Sequence, residues 1–121
     1  MKSMSEMLER IKKHPDFSKA GMILCHNGVV RETSRDGRKV RGLRVGTDRE
    51  KLAQVIGEHK QRPGIVEILA EINSDTDLAV GDDVMYLIVA GDIRENVIAA
   101  LSDCLNAVKS TVTQKTEFFE E

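Results

Sequence analysis

The chain has 121 residues, of which 40% are apolar, 31% are charged and only two are proline. This composition is typical of one globular domain that buries roughly 65% of its unfolded surface. No apolar run reaches the roughly 18 residues of a membrane span, and the first residues show no signal-peptide core, so we expect a cytoplasmic protein that does not bind membranes.

The formal net charge of −2 conceals a split between the two halves of the chain. Residues 1–51 carry 13 basic and 7 acidic groups, whereas residues 52–121 carry 5 basic and 13 acidic groups. The basic excess is greatest over residues 31–51, with eight positive and four negative side chains. Either an anion binds to this stretch or the two halves face each other.

Cysteines and histidines are too scattered to predict a metal site. Cys25 and Cys104 stand alone, which is typical of buried free thiols in a protein that is not exported. The three histidines show none of the close, repeated spacing of zinc ligands, and no glycine-rich nucleotide-binding loop occurs. We therefore expect neither a metal nor a cofactor.

The first half of the chain predicts a helix, two strands and a second helix. Ser3 and Glu6 form a capping box for a helix over residues 1–15, which Pro15 ends. Strands are predicted over residues 21–30 and 39–45, and the Asp36-Gly37 pair favours a tight turn that would join them in a hairpin. Thr47 and Glu50 predict the cap of the second helix.

The second half predicts two strands, a helix and a last strand. Residues 66–72 alternate as in a half-buried strand, residues 73–81 are polar and turn-like, and residues 84–90 are apolar throughout, as in a strand covered on both faces. Asp92 and Glu95 predict the cap of the third helix. Its inner face is predicted to contain Val97, Ile98, Leu101, Leu105 and Val108. Residues 112–119 are predicted to form the final strand.

This order of elements predicts an α+β fold. Strands connected both by a hairpin and by helices indicate a mixed β-sheet with helices packed on it. No repeat, linker or low-complexity segment divides residues 1–121, so a single domain is expected.

A series of short motifs then occurs in a characteristic order. They are Gly21-Met22-Ile23, Gly28-Val29-Val30-Arg31, the segment from Gly37 to Leu43, the segment from Ala79 to Val84, Arg94 at the start of a helix, Lys109, and Lys115-Thr116-Glu117. Over residues 20–119 this series resembles the large, catalytic subunit of molybdopterin synthase. The order of the motifs and their positions on the expected elements carry the resemblance.

The resemblance implies an enzyme of molybdenum cofactor biosynthesis. Such a subunit transfers sulfur to cyclic pyranopterin monophosphate from the thiocarboxylate of a small ubiquitin-like subunit that ends in Gly-Gly. It also implies a homodimer of large subunits within a heterotetramer.

The resemblance further implies which residues act. Lys109 and Lys115 correspond to the two lysines that the family places near the reaction. Arg31 and Arg94 are candidates for binding the phosphate, because arginine presents a planar fork to phosphate oxygens. The segment from Gly37 to Leu43 adds Arg38 as a third candidate for substrate binding.

Ordinary structural roles remain open for each of these residues. Lys109 can favour the dipole of a helix end, Lys115 can protect an edge strand from aggregation, and Arg31 or Arg38 can be solvated surface charges. Arg94 is less easily explained in this way, since a cation in the first turn of a helix opposes the dipole.

Some residues of the chain depart from the pattern of this family. The chain has Ser110–Gln114 where the family usually has a proline and a tryptophan, and Ile93 where it commonly has a histidine. A binding or regulatory module without catalysis is therefore the alternative function. Nucleic-acid binding is disfavoured, because aromatic residues make up only 3% of the chain and stacking on single strands requires them.

Overall fold

The computed structural model describes residues 1–120 and contains three α-helices and six β-strands. The helices are α1 (Met4–Lys12), α2 (Arg49–Lys60) and α3 (Arg94–Ala107), with a 3₁₀ turn at Phe17–Lys19 and a π-helical turn at Val108–Val112. The strands are β1 (Met22–Val29), β2 (Val40–Thr47), β3 (Ile65–Ile72), β4 (Leu78–Ala79), β5 (Asp83–Gly91) and β6 (Thr113–Phe119).

The strands form two three-stranded sheets. The first sheet has the order β1-β5-β3 and the second has the order β4-β2-β6. Every strand pairing in the described chain is antiparallel. The predicted α+β class is confirmed, but two antiparallel sheets replace the single mixed sheet that was expected.

The first sheet is covered on both faces, as the apolar sequence of β5 predicts. On one face, Met7 and Ile11 of α1 pack with Ile88 and neighbouring side chains. The other face packs against α3 and the second sheet around Leu87 and Val89. The central strand β5 is exposed to solvent on neither face. Truncating Leu87 to alanine is therefore expected to lower the free energy of unfolding by about 2–5 kcal/mol.

The predicted hairpin between the first two strands is wrong. The Asp36-Gly37 turn does form, with Gly37 at a φ of 86° and a single bridge between Thr33 and Lys39. However, β1 pairs with β5, and β2 pairs with β4 and β6. The turn therefore passes the chain from one sheet to the other, because both strands find longer pairing partners elsewhere.

Two predicted helix caps are also wrong. Helix α2 is capped by Asp48, whose side chain accepts a hydrogen bond from the Lys51 backbone at 3.0 Å, one residue after the predicted Thr47. Helix α3 begins after Ile93 without a side-chain cap. Asp92 instead accepts hydrogen bonds from the Ile93 backbone and the Asn96 side chain.

Two burial predictions fail as well. Ile98 is half exposed, and the buried face of α3 is completed instead by Ala100 and Cys104. Cys25 is exposed on the edge strand β1, whereas Cys104 is buried. Burial raises the pKa of the Cys104 thiol to about 11, so only this cysteine is the inert core thiol that was predicted.

Candidate functional site

A cavity of about 460 Å³ lies between the two sheets. One wall comes from β1 and β5 of the first sheet, the other comes from β2 and β6 of the second, and the turn after α3 closes one side. The ionisable side chains that line it are Arg31, Arg35, Lys109, Lys115, Glu117 and His26.

Strand β6 places Lys115 and Glu117 on the same wall of the cavity. The two residues alternate along the strand and lie opposite Val45 and Leu43 of β2, which also line the cavity. The Lys115 Nζ lies 3.8 Å from a carboxylate oxygen of Glu117. The ammonium group thus lies beside one carboxylate, while 54% of the Lys115 side chain is exposed.

Lys109 reaches the cavity from the π-helical turn that follows α3. The hydroxyls of Ser110 and Thr111 donate hydrogen bonds to the carbonyls of Asn106 and Ala107 at 2.7 and 2.6 Å, which satisfies acceptors that a helix end leaves free. Such π-helical turns occur frequently at functional sites. Here the turn brings Lys109 into the same cavity as Lys115.

Arg31 is positioned where β1 ends. The backbone of the preceding Val30 is fixed by hydrogen bonds with Asp82 and Gly81, both at 2.9 Å. The Arg31 Nε donates to the Thr33 carbonyl at 2.8 Å, which orients the guanidinium and leaves its terminal nitrogens for a ligand.

The loop between β1 and β2 forms the rim of the cavity. Ser34 is buried and bonds to the carboxylate of Asp36, and this hydrogen bond is the main reason that the pKa of Asp36 is lowered. The loop directs Arg35 towards the cavity. Arg38 lies outside it, with its guanidinium carbon 3.6 Å from the centre of the Phe119 ring.

The cavity has an excess of positive charge. Four cationic side chains line it, against the single carboxylate of Glu117. Within residues 1–120, Arg31, Arg35 and Lys109 form no salt bridge, because none has a carboxylate within 4.0 Å. Uncompensated cations in a partly enclosed space attract anions strongly.

His26 also lines the cavity, although its sequence context gave it no role. Its Nε2 is the one buried side-chain nitrogen or oxygen within residues 1–120 that has no hydrogen-bond partner. Burial first, and then the nearby positive charge of Lys109, lowers the pKa of this imidazole. A buried polar atom without a hydrogen-bond partner typically lowers the stability of the fold by about 1–3 kcal/mol, so the presence of this one needs an explanation.

Arg94 is not brought to the cavity by this chain. It lies in the first turn of α3, its side chain is 80% exposed, and its Nε is 3.3 Å from the carboxylate of Glu95. Its predicted contact with substrate, like that of Arg38, stays a prediction.

The sequence thus predicted three of the residues that converge, namely Arg31, Lys109 and Lys115. It assigned no role to His26 or Arg35, and it quoted Glu117 only as part of a motif. The sequence did contain an indication for His26. This residue precedes Gly28 of the quoted motif by two residues, so the two share one face of the predicted strand.

The described residues contain neither a metal-binding cluster nor a membrane-spanning helix. No group of three or more His, Cys, Asp or Glu side chains within residues 1–120 is placed to hold a metal ion. No helix in the same part of the chain is long and apolar enough to cross a membrane.

Comparison with known proteins gives a family match over nearly the whole chain. The family model described as MoaE protein matches residues 2–111, a range that includes Arg31 and Lys109 and ends before Lys115. No curated protein is significantly similar to this chain in sequence.

Solved structures share the fold at low sequence identity. Molybdopterin synthase from Staphylococcus aureus matches with a TM-score of 0.79 and 21% identity, over 99% of this chain and 87% of that one. Molybdopterin cofactor biosynthesis protein E from Burkholderia multivorans matches with a TM-score of 0.77 and 18% identity, over 98% and 82%. A complex of subunits 1 and 2 of molybdopterin-converting factor from Helicobacter pylori matches with a TM-score of 0.70 and 15% identity, over 99% and 85%. Because the family model spans so much of the sequence, this chain belongs to the MoaE protein family, the large-subunit family of molybdopterin synthase.

Proposed function

We propose that this chain is the catalytic subunit of a molybdopterin synthase. It would transfer sulfur from a thiocarboxylated small ubiquitin-like subunit to cyclic pyranopterin monophosphate. One observation carries the proposal: Arg31, Lys109 and Lys115, which come from three different segments, line one cavity with an excess of positive charge.

Both proposed substrates are anionic, which suits this cavity. The pterin carries a phosphate, and the small subunit would present a thiocarboxylate at the end of an extended tail. Arg31 is the best candidate to bind the phosphate, since the hydrogen bond to Thr33 already orients its guanidinium and arginine binds phosphate in a bidentate manner. Arg35 on the rim would add a second cation.

The two lysines would act on the sulfur donor. Each transfer leaves a sulfur atom on the pterin and an ordinary carboxylate on the carrier, so water supplies the replacing oxygen. The ammonium groups of Lys109 and Lys115 would stabilise the negative charge of the thiocarboxylate and supply protons to the oxygens that leave the pterin. Glu117, at 3.8 Å from Lys115, would hold that lysine in position.

The proposed partner is a small subunit with a C-terminal Gly-Gly. The Helicobacter pylori structure that shares this fold is a complex of two subunits of molybdopterin-converting factor, which supports a two-subunit assembly here. By the same family resemblance we propose a homodimer of this chain with one small subunit on each protomer.

Reconstitution from purified components tests the proposal. The chain is incubated with the thiocarboxylated small subunit and cyclic pyranopterin monophosphate, and molybdopterin is measured after oxidation to its fluorescent derivative. Product in proportion to the chain's concentration is expected. Absence of product, while an active large subunit works with the same reagents, would overturn catalysis and leave the binding-module alternative.

A matched pair of lysine variants makes the test specific to the cavity. Lys115→Ala removes a cavity cation, whereas Lys51→Ala removes an exposed lysine of α2. We expect product formation to fall in Lys115→Ala and to stay at the wild-type level in Lys51→Ala. Equal activity of the two variants would show that the reaction does not depend on this cavity.

A further inference from the structure

The unexplained feature of the cavity is the imidazole of His26. This residue follows Met22 and Leu24 on the core-facing side of β1, at the point where apolar packing gives way to the cavity. Its Nε2 is buried but has no hydrogen-bond partner in the described chain.

Gly28 provides the space into which the ring extends. A Cβ atom at this position would lie 3.3 Å from the His26 Nε2 and 3.4 Å from the Met85 side chain, which is tighter than an ordinary contact. The absence of a side chain at Gly28, two residues along the same strand face, thus makes room for the imidazole of His26, a residue that lines the cavity. A side chain there would need the imidazole to move.

The surroundings of His26 favour the neutral form of its ring. Burial and the positive charge of Lys109 both lower its pKa below the usual value of 6.5. The other ionisable side chains of the cavity are Arg31, Arg35, Lys115 and Glu117. Three of these four are cations and one is a carboxylate, and Met85 of the adjacent strand β5 carries no charge.

A neutral imidazole complements the other ionisable groups of the cavity. The arginines and lysines only donate hydrogen bonds, whereas a neutral histidine also offers a lone pair. The cavity can therefore bind the anionic groups of a ligand through its cations, and His26 adds a ring acceptor for a ligand N–H to the oxygen acceptors of Thr33, Ser34, Thr113 and Glu117.

We propose that His26 contacts the bound ligand and accepts a hydrogen bond from one of its N–H groups, which makes it a specificity-determining residue of the cavity. The inference rests on the proposed function for the identity of the ligand. Two sources of this N–H are available, the pterin ring and the peptide backbone of the small subunit's tail.

Two substitutions separate the hydrogen bond from the shape of the ring. His26→Phe keeps a ring of similar size but removes both nitrogens, whereas His26→Gln keeps an oxygen that accepts a hydrogen bond. Calorimetric titration measures the binding of cyclic pyranopterin monophosphate and, separately, of a synthetic peptide with the sequence of the small subunit's tail ending in Gly-Gly. Neither measurement requires turnover.

We expect His26→Phe to weaken the binding of one probe at least tenfold, equivalent to about 1.4 kcal/mol, and His26→Gln to stay within about threefold of the wild type. The probe that loses affinity identifies the source of the N–H group. The imidazole nitrogen resonances of His26, assigned by their loss in His26→Phe, are expected to shift when that probe is added. The Tm of His26→Phe should not fall, because the substitution removes an unpaired buried nitrogen.

Several results would overturn the inference. Wild-type affinity of His26→Phe for both probes would exclude a ligand contact, and so would failure of the wild type to bind either probe. Equal loss of affinity in both variants, together with a lower Tm, would indicate a purely structural role. Binding that depends on His26 without formation of product would instead refute the proposed function and leave the contact standing.

Discussion

The two ends of helix α3 each carry a cation that the sequence singled out, yet their surroundings differ. At the first turn, Arg94 extends into solvent and pairs with Glu95. After the last turn, Lys109 lies in the π-helical turn and lines the cavity between the sheets, with no carboxylate of residues 1–120 in salt-bridge contact.

This contrast shows that the position of a cationic residue on a helix does not predict whether its side chain takes part in a functional site. An arginine at a helix start opposes the dipole and so attracts attention, whereas a lysine at a helix end is electrostatically ordinary. The tertiary structure reverses that ranking, because only the C-terminal end of α3 meets the second sheet at a cavity. Substitutions at these residues test whether the function depends on the side chains that line the cavity.

The largest effect is expected from Lys109→Ala. If this lysine stabilises charge and moves protons, the rate of molybdopterin formation should fall at least about 100-fold. The rate is measured with both substrates saturating. Lys109→Arg retains the positive charge, so partial recovery would assign the role to charge and no recovery would assign it to the amine. Activity within twofold of wild type in Lys109→Ala would refute the assignment.

A smaller effect is expected from Arg31→Ala, through substrate binding. Hydrogen bonds to charged groups contribute about 1.5–3 kcal/mol, so the KM for the pterin phosphate should rise roughly 10- to 100-fold. Arg31→Lys should recover part of this loss, since it keeps the charge without the planar fork. Arg49→Ala, an exposed arginine of α2, is the control. A change in kcat alone would contradict a role in binding.

A modest effect is expected from Glu117→Gln, because the carboxylate acts through Lys115. Partly exposed ion pairs contribute about 0.2–1 kcal/mol, so kcat should fall only two- to fivefold. Thermal unfolding of the same variant checks that the fold is intact. A loss as large as that of Lys109→Ala would instead indicate that Glu117 transfers a proton itself.

The smallest effect concerns stability at the other end of α3. Arg94→Ala removes an exposed cation and a weak ion pair, so the free energy of unfolding should change by less than about 0.5 kcal/mol. Val97→Ala, one turn further and fully buried, should cost about 1–3 kcal/mol. Chemical denaturation measures both. A larger loss in Arg94→Ala than in Val97→Ala would mean that Arg94 stabilises the helix start.

The sequence predicted helices and strands well wherever residues that are close in the chain determine them. Ser3 does cap α1, with its hydroxyl accepting a hydrogen bond from the Glu6 backbone, and the continuous apolar run around Leu87 is a strand buried on both faces. Both features depend on residues that are close in the chain. Strand pairing does not, and the hairpin prediction failed because the turn at Gly37 fixes a local bend but not the partners of the strands beyond it.

Burial on α3 shows the same limit. Ile98 and Val97 are equally apolar, but only Val97 faces the first sheet, and Ala100 is fully buried although alanine gives no strong signal. The orientation of the helix on the sheet selects which of its positions are covered. The periodicity of apolar residues predicts which side of the helix is buried. The packing of the helix on the sheet decides which residues lie at the centre of that side.

For the site, the amino-acid sequence alone determined the family and named Arg31, Lys109 and Lys115, because ordered motifs survive at low identity. Tertiary structure alone decided that these three cations share a cavity, that Arg94 and Arg38 lie outside it, and that His26 belongs to it. The physical reason is that the cavity is a gap between two separate sheets. Residues far apart in the chain become neighbours there only after β1 has paired with β5, and β2 with β6.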